Sequence, residues 1–369
     1  MAAPATSTPA RGIDALLRRV LQMGGSDLHL TSGSVPLVRI DGHLRRLTEF
    51  ERLLSDDIHG LLGEILKAHQ LERLERETEL DFGHGVPGLG RFRVNVFRQR
   101  GSIGAVIRVI PGEIVPLDEL SLPPAVAGIA ELDTGFVVVT GPAGSGKSTT
   151  VAALLDRINA TRSVHIVTLE DPIEFLHRHR TGIVNQRGVG EDTPTFAEGL
   201  YRLLRQDADI VYVSDVRDAG VLQLVLSLAE AGRLVFTCVT AASASSALTR
   251  LAELVPSDER PALRQQLAGG LAAVVAQQLV PRANRLGRVA CAEVVLATPA
   301  VRRLVREERL DQLAATIYGE PGSGMQTIEQ ALAMRVAYGE ISVDAALDAA
   351  DRPDDLQQIL VAMQQRAAS

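Results

Sequence analysis

The run GPAGSGKS at residues 141–148 carries the clearest chemistry in the chain. It fits G-x-x-x-x-G-K-[ST], a pattern whose glycines let the main chain wrap an anion while successive N–H groups converge on it. In that reading Gly141, Pro142, Ala143, Gly144, Ser145 and Gly146 form the cradle. Lys147 reaches the β- and γ-phosphates of ATP, the Ser148 hydroxyl ligates Mg²⁺, and Thr149 continues the first helical turn. The context agrees: the apolar run FVVV ends just before the loop, and the helical run STTVAALLDRI follows it.

Two acidic segments come later. TLEDPIE, residues 168–174, offers Glu170, Asp171 and Glu174 to hold Mg²⁺ or position water, with a solvated turn at Pro172 as the alternative. DADIVYVSDVRD, residues 207–218, is an apolar strand running into charge. It places Asp215 where a carboxylate meets the metal or the attacking water; a strand followed by a charged loop is the plainer reading. Arg91, Arg93, Arg98, Arg100 and Arg108 are either a solvated strand face or fingers that neutralise phosphoryl charge. Strand side chains alternate between faces, so these arginines cannot all serve one site; Arg91 and Arg93 share a face.

The elements that must position these groups follow from periodicity. Residues 136–139, 164–168, 210–213 and 234–239 are short Val- and Ile-rich runs separated by helical stretches. That pattern predicts a parallel sheet buried on both faces, and so an α/β fold. Ahead of it, residues 13–23 read as a helix, 27–30 and 35–40 as extended, and 55–77 as two helices. Residues 79–82, 92–97 and 103–110 read as antiparallel strands. The expected organisation is a disordered tail at 1–12, an α+β domain at 13–110 and a proline-bearing linker at 111–122. The main α/β domain then covers 123–297 and a helical C-terminal domain 298–369.

Composition narrows the function. Aromatics make up 3%, Trp is absent and the net charge is -7, which argues against a nucleic-acid partner. Cys238 and Cys291 stand far apart, as reduced thiols of a cytoplasmic protein do. The longest apolar stretch, residues 267–276, is too short to span a bilayer. Any membrane association is expected through partners.

Taken in order, GPAGSGKS, TLEDPIE and LLRQDADIVYVSDVRD resemble the type II/IV secretion ATPase superfamily. SDLHLTSGSVPLVRIDGHLRRL (26–47), PGLGRFRVNVF (87–97), AVRRLVRE (300–307) and GMQTIE (324–329) narrow the resemblance to the PilT family of pilus retraction ATPases. The four-cysteine insert of other branches is missing. The resemblance implies a PAS-like N-terminal domain and a RecA-like P-loop ATPase domain with a helical tail. It implies a homo-hexamer with ATP between domains, and Arg91, Arg93 and Arg108 as its fingers. It further implies an inner-membrane platform protein as partner, other PilT-type paralogues beside it, and peripheral attachment to the inner membrane through the pilus machine. Motor activity would drive pilus retraction and twitching motility; an accessory, nucleotide-binding paralogue with little turnover is the alternative.

Two departures stand out. The family's Gly-Glu after the third core strand is Ser214–Asp215 here, and its histidine box is GRLVFTCVTA, with Arg233 and Thr240 at the histidine positions. Weakened hydrolysis with intact ATP binding is the expectation.

Overall fold

The computed structural model describes residues 12–40, 42–110, 112–284, 287–320 and 322–368. Residues 1–11 of the expected tail and Pro111 of the expected linker lie outside the described residues. The chain forms two compact units. The first ends at Glu113 and also takes in Pro172–Leu176; the second comprises Ile114–Asp171 and the chain from His177 onward.

The first unit runs α1 (Ile13–Gln22), β1 (Asp27–Leu30), β2 (Leu37–Ile40), β3 (His43–Arg46), α2 (Ser55–Gly63), α3 (Ala68–Glu77), β4 (Glu79–Val86), β5 (Gly90–Gln99) and β6 (Ser102–Ile110). Its sheet has the order β3-β2-β1-β6-β5-β4 and is antiparallel throughout. Ile13, Leu16, Leu17 and Val20 form the buried stripe of α1, at the spacing that puts apolar groups on one helix face. On β5, Phe92, Val94 and Val96 enter the core while Arg91, Arg93 and Asn95 take the other face. Strand β3 was not expected from sequence. All four of its residues are exposed, so it has no apolar alternation to read; pairing with β2 alone defines it.

The second unit holds α4 (Pro124–Ile129), β7 (Gly135–Thr140), α5 (Lys147–Thr161), β8 (His165–Glu170), β9 (Ile183–Gly188), α6 (Phe196–Leu203), β10 (Ile210–Val213), α7 (Ala219–Glu230), β11 (Leu234–Val239), α8 (Ala244–Glu253), α9 (Arg260–Gly270), β12 (Leu271–Pro281) and β13 (Arg288–Leu296). Helices α10 (Pro299–Glu307), α11 (Leu313–Gly319), α12 (Ile328–Ala337), α13 (Val343–Ala349) and α14 (Pro353–Ala368) follow. The sheet order is β13-β12-β7-β11-β10-β8-β9, parallel except for the edge strand β13.

Each central strand sends alternate residues into two cores. Phe136 and Val138 of β7 join Val211, Val213 and Val235 on one side; Val137 and Val139 join Ile210, Tyr212 and Phe236 on the other. This double burial is why the runs read as continuously apolar. The apolar stretch at 267–276 is divided between the end of α9 and the start of β12. Hydrophobicity alone could not place that boundary. Val280, Val289 and Cys291, on the far parts of β12 and β13, pack against Ile328 and Leu332 of α12 and Leu356 of α14.

Candidate functional site

Strand β7 ends at Thr140, and the 141–148 loop leaves the C-terminal edge of the sheet there. Gly141, Gly144 and Gly146 have φ of 147°, 74° and 90°, a region that side chains with a Cβ rarely adopt. A Cβ on Gly141 would lie 2.1 Å from the Gln277 carbonyl oxygen and 2.5 Å from Ser145 Oγ. Gly146 turns the chain directly into α5, whose first residue is Lys147. Lys147 Nζ donates to the carbonyls of Gly141 and Pro142, both at 2.9 Å. Pro142, Ala143 and Gly144 are exposed at the loop tip, and Ser148 and Thr149 are half-buried in the first turn of α5. Ser145 Oγ is buried without a hydrogen-bond partner among the described residues. Convergent main chain, an ammonium and a hydroxyl at a helix N-terminus suit a polyphosphate.

The loop is held from β12. Gln277 Nε2 donates to Ser145 O at 2.7 Å, and Gln277 Oε1 accepts from Thr150 Oγ1 at 2.7 Å. Gln277 and Thr150 are both buried. Sequence reasoning missed this pair, because 127 residues separate its members.

Parallel register brings the other strand ends to the same edge. Val139 of β7's neighbour pairing sits beside Cys238, Thr237 beside Val213, and Val213 beside Leu169. At about 4.8 Å per strand, β10 lies roughly 10 Å and β8 roughly 14 Å from β7. Glu170, at the end of β8, is buried, accepting from Thr168 Oγ1 at 2.6 Å and Gln186 Nε2 at 3.0 Å. The Asp171 amide donates to Ser214 Oγ at 3.1 Å. Asp215, just past β10, accepts from Arg217 Nε at 2.7 Å, and Arg217 Nη1 lies 3.5 Å from Asp171 Oδ2. The hydrogen bond to Asp215 raises the pKa of Arg217 further, against the effect of burial. Asp171 and Asp215 are therefore brought together by a cation that the sequence reading did not single out. Its only signal was a third charge in SDVRD. Glu174 is exposed and belongs to the first unit.

The two positions of the altered histidine box part company. Thr240 follows β11 on the loop's edge of the sheet, and its carbonyl accepts from Arg250 at 3.0 Å. Arg233 precedes β11 at the opposite edge, donating to Ala208 O at 3.1 Å.

In the first unit, Arg91, Arg93 and Arg108 do share one sheet face. Arg93 stands directly across from Arg108, and Arg108 across from Asp27. Arg93 Nε lies 3.1 Å from both oxygens of Asp81, and Arg108 Nε lies 2.7 Å from Asp27 Oδ1. Burial pushes the Asp27 carboxyl up, but hydrogen bonds from Arg108 and Ser26 outweigh it and leave the pKa below the usual carboxylate value. The guanidinium of Arg91 lies over Gly83, where a Cβ would come within 2.6 Å of it. Among the described residues no helix is long and apolar enough to cross a membrane.

The family model for "Type II/IV secretion system protein" matches residues 9–347. The type IV pilus retraction ATPase PilT of Pseudomonas aeruginosa is 40% identical over 93% of this chain and 99% of its own length. A twitching motility protein of Neisseria gonorrhoeae is 37% identical over 87% of each chain. Among solved structures, that of the pilus retraction motor PilT with bound ADP superposes with a TM-score of 0.87 at 38% identity, covering 94% of this chain and 99% of that one. With relatives this close over nearly its whole length, the chain belongs to the type II/IV secretion system protein family, within the PilT group of ATPases.

Proposed function

We propose that this chain is an ATP-driven motor for type IV pilus retraction and twitching motility, with slow turnover. The loop at 141–148 is its P-loop, the second unit its RecA-like ATPase domain with a helical tail, and the first unit its PAS-like domain. The observation that carries the reading is the cradle itself. Gly141 and Gly146 adopt conformations suited to glycine, and Lys147 and Ser148 sit where the loop enters α5. The strand order of the second unit, with β11 between the loop strand β7 and the acidic strand β10, supports it.

In this reading the main-chain amides and Lys147 hold the phosphates of ATP, and Ser148 and Asp215 serve the metal. Ser148 suits Mg²⁺ as a half-buried hydroxyl one residue beyond Lys147. Among the described residues no group of three or more His, Cys, Asp or Glu is placed to hold a metal ion. Most ligands would therefore be phosphate oxygens and water. When bound, Mg²⁺ neutralises charge on the β- and γ-phosphates. Asp171 and Asp215, joined through Arg217, orient water at the strand ends; Glu170, buried at the end of β8, and Glu174 are the remaining acidic candidates.

Slow hydrolysis follows from the side chains. Asp215 is one methylene shorter than the family's glutamate and is engaged by Arg217. Thr240 offers no imidazole. A misplacement of about 1 Å can cost on the order of 100-fold in rate.

The assembly we propose is a homo-hexamer in the cytoplasm, attached peripherally to the inner membrane through the pilus platform protein, with related paralogues nearby. Arg91, Arg93 and Arg108 are its finger candidates. The Ser214–Asp215 and Thr240 departures favour one further reading, an accessory paralogue that binds ATP and turns over little.

The test is Lys147→Ala. It should abolish Mg·ATP uptake by the purified protein and, in cells, reproduce the motility loss of a full deletion. Retained ATP binding would refute the P-loop reading, and retained motility would refute the motor.

A further inference from the structure

Gln277 grips the 141–150 segment from a different strand, β12, through both atoms of its side-chain amide. In β12, Ala276 pairs with Thr140, so Gln277 stands where the loop departs. The Gln277 backbone presses against Gly141, and its amide nitrogen would lie 2.8 Å from a Cβ on Gly146. Through the two hydrogen bonds described above, one amide ties Ser145 in the loop to Thr150 in the first turns of α5.

The Ser145–Gly146 peptide is planar, so its carbonyl and its N–H point in opposite directions. Holding the Ser145 carbonyl on Gln277 turns the Gly146 N–H away from β12, toward the other side of the loop. The Ser145 carbonyl keeps the glutamine amide from flipping: it can only accept, so it needs the amide nitrogen, which leaves the amide oxygen to accept from the Thr150 hydroxyl. The amide is thus engaged at both ends in a dry site where neither atom can turn to water.

We infer that Gln277 is a positioning residue for nucleotide binding, pre-setting the Gly146 N–H for a phosphate oxygen through the Ser145 carbonyl. The inference rests on the P-loop reading. Its signature is specific: weakened affinity for the polyphosphate, with the chemical step after binding little changed.

The experiment measures ADP and Mg·ATP affinity by calorimetry on wild type, Gln277→Met, Thr150→Val and Thr150→Ser, with steady-state hydrolysis on each. Gln277→Met keeps the volume and removes both hydrogen bonds. It should raise the ADP Kd and the KM for ATP by about 10- to 100-fold, with kcat within about 3-fold. Thr150→Val should weaken binding by about 3- to 10-fold, and Thr150→Ser, which keeps the hydroxyl, should restore it. If wild type binds ADP and Gln277→Met binds it equally well, the inference fails while the P-loop reading stands. If wild type takes up no adenine nucleotide, both fail. If Gln277→Met does not fold, Thr150→Val decides: wild-type affinity there overturns the role.

Discussion

Arg217 bridges carboxylates that follow two different strands, with its Nε 2.7 Å from Asp215 Oδ2 and its Nη1 3.5 Å from Asp171 Oδ2. The parallel pairing of Leu169 with Val213 brings those two strand ends side by side. The Arg217 side chain is 60% exposed, so the pair contributes little to stability, about 0–1 kcal/mol. Its role is to hold two like charges in one arrangement. Arg217→Met should leave the melting temperature nearly unchanged in differential scanning fluorimetry. It should lower the ATPase rate by about 10-fold, because the two carboxylates then repel and Asp215 loses its orientation. A large fall in melting temperature with unchanged turnover would contradict this.

In the proposed function, Asp215 is the residue whose short side chain slows hydrolysis. Asp215→Glu should raise kcat by about 10-fold, and Asp215→Asn should lower it further, with ATP affinity within a few-fold of wild type in both. Steady-state phosphate release read beside equilibrium binding separates the two quantities. Equal rates for Asp215→Glu and wild type would overturn the role proposed for Asp215.

The loop glycines should differ in how badly they tolerate alanine. Gly141→Ala combines a φ of 147° with a contact of 2.1 Å to main chain that cannot yield. Gly146→Ala combines 90° with a contact of 2.8 Å to the Gln277 amide. Gly144→Ala meets nothing within 4 Å and carries only the strain of a φ of 74°. The expected order of destabilisation is Gly141, then Gly146, then Gly144, the last at about 1–2 kcal/mol. Chemical denaturation of the three variants checks the order.

Glu293 of β13 is half-buried and accepts the Ala244 amide at 2.8 Å. Burial pushes its pKa up to about 7 from 4.5, against the lowering effect of the Ala244 hydrogen bond, with Asp351 and Glu329 adding to the rise. The folded protein therefore holds a proton that the unfolded chain releases above its ordinary pKa. Stability from this group is complete below about pH 4.5 and is lost as pH rises toward 7. Glu293→Gln should remove that loss. Its stability relative to wild type should increase by roughly 1–3 kcal/mol between pH 4.5 and pH 8 in denaturant titrations. A difference that is flat with pH would show that Glu293 titrates normally.

Much of the fold was legible because burial writes itself into periodicity. The double-faced burial of β7, β10 and β11 produced unbroken apolar runs, and alternation on β5 and β6 marked an antiparallel sheet. Strand β3 was hidden because its four residues are all exposed. Strands β9, β12 and β13 were not read, β12 because it emerges directly from a helix within one apolar stretch.

By itself, the sequence determined the loop: three glycines, a lysine and a serine at fixed spacing are local chemistry that needs no distant partner to be recognised. It also determined the strand that leads into that loop and the helix that leaves it. Only the tertiary structure decided what braces the loop and what joins the acids. Gln277 meets Thr150 across 127 residues, and Arg217 reaches Asp171 across 46. Such pairs depend on strand order and register, which arise when whole strands find their neighbours and leave no mark at either residue alone.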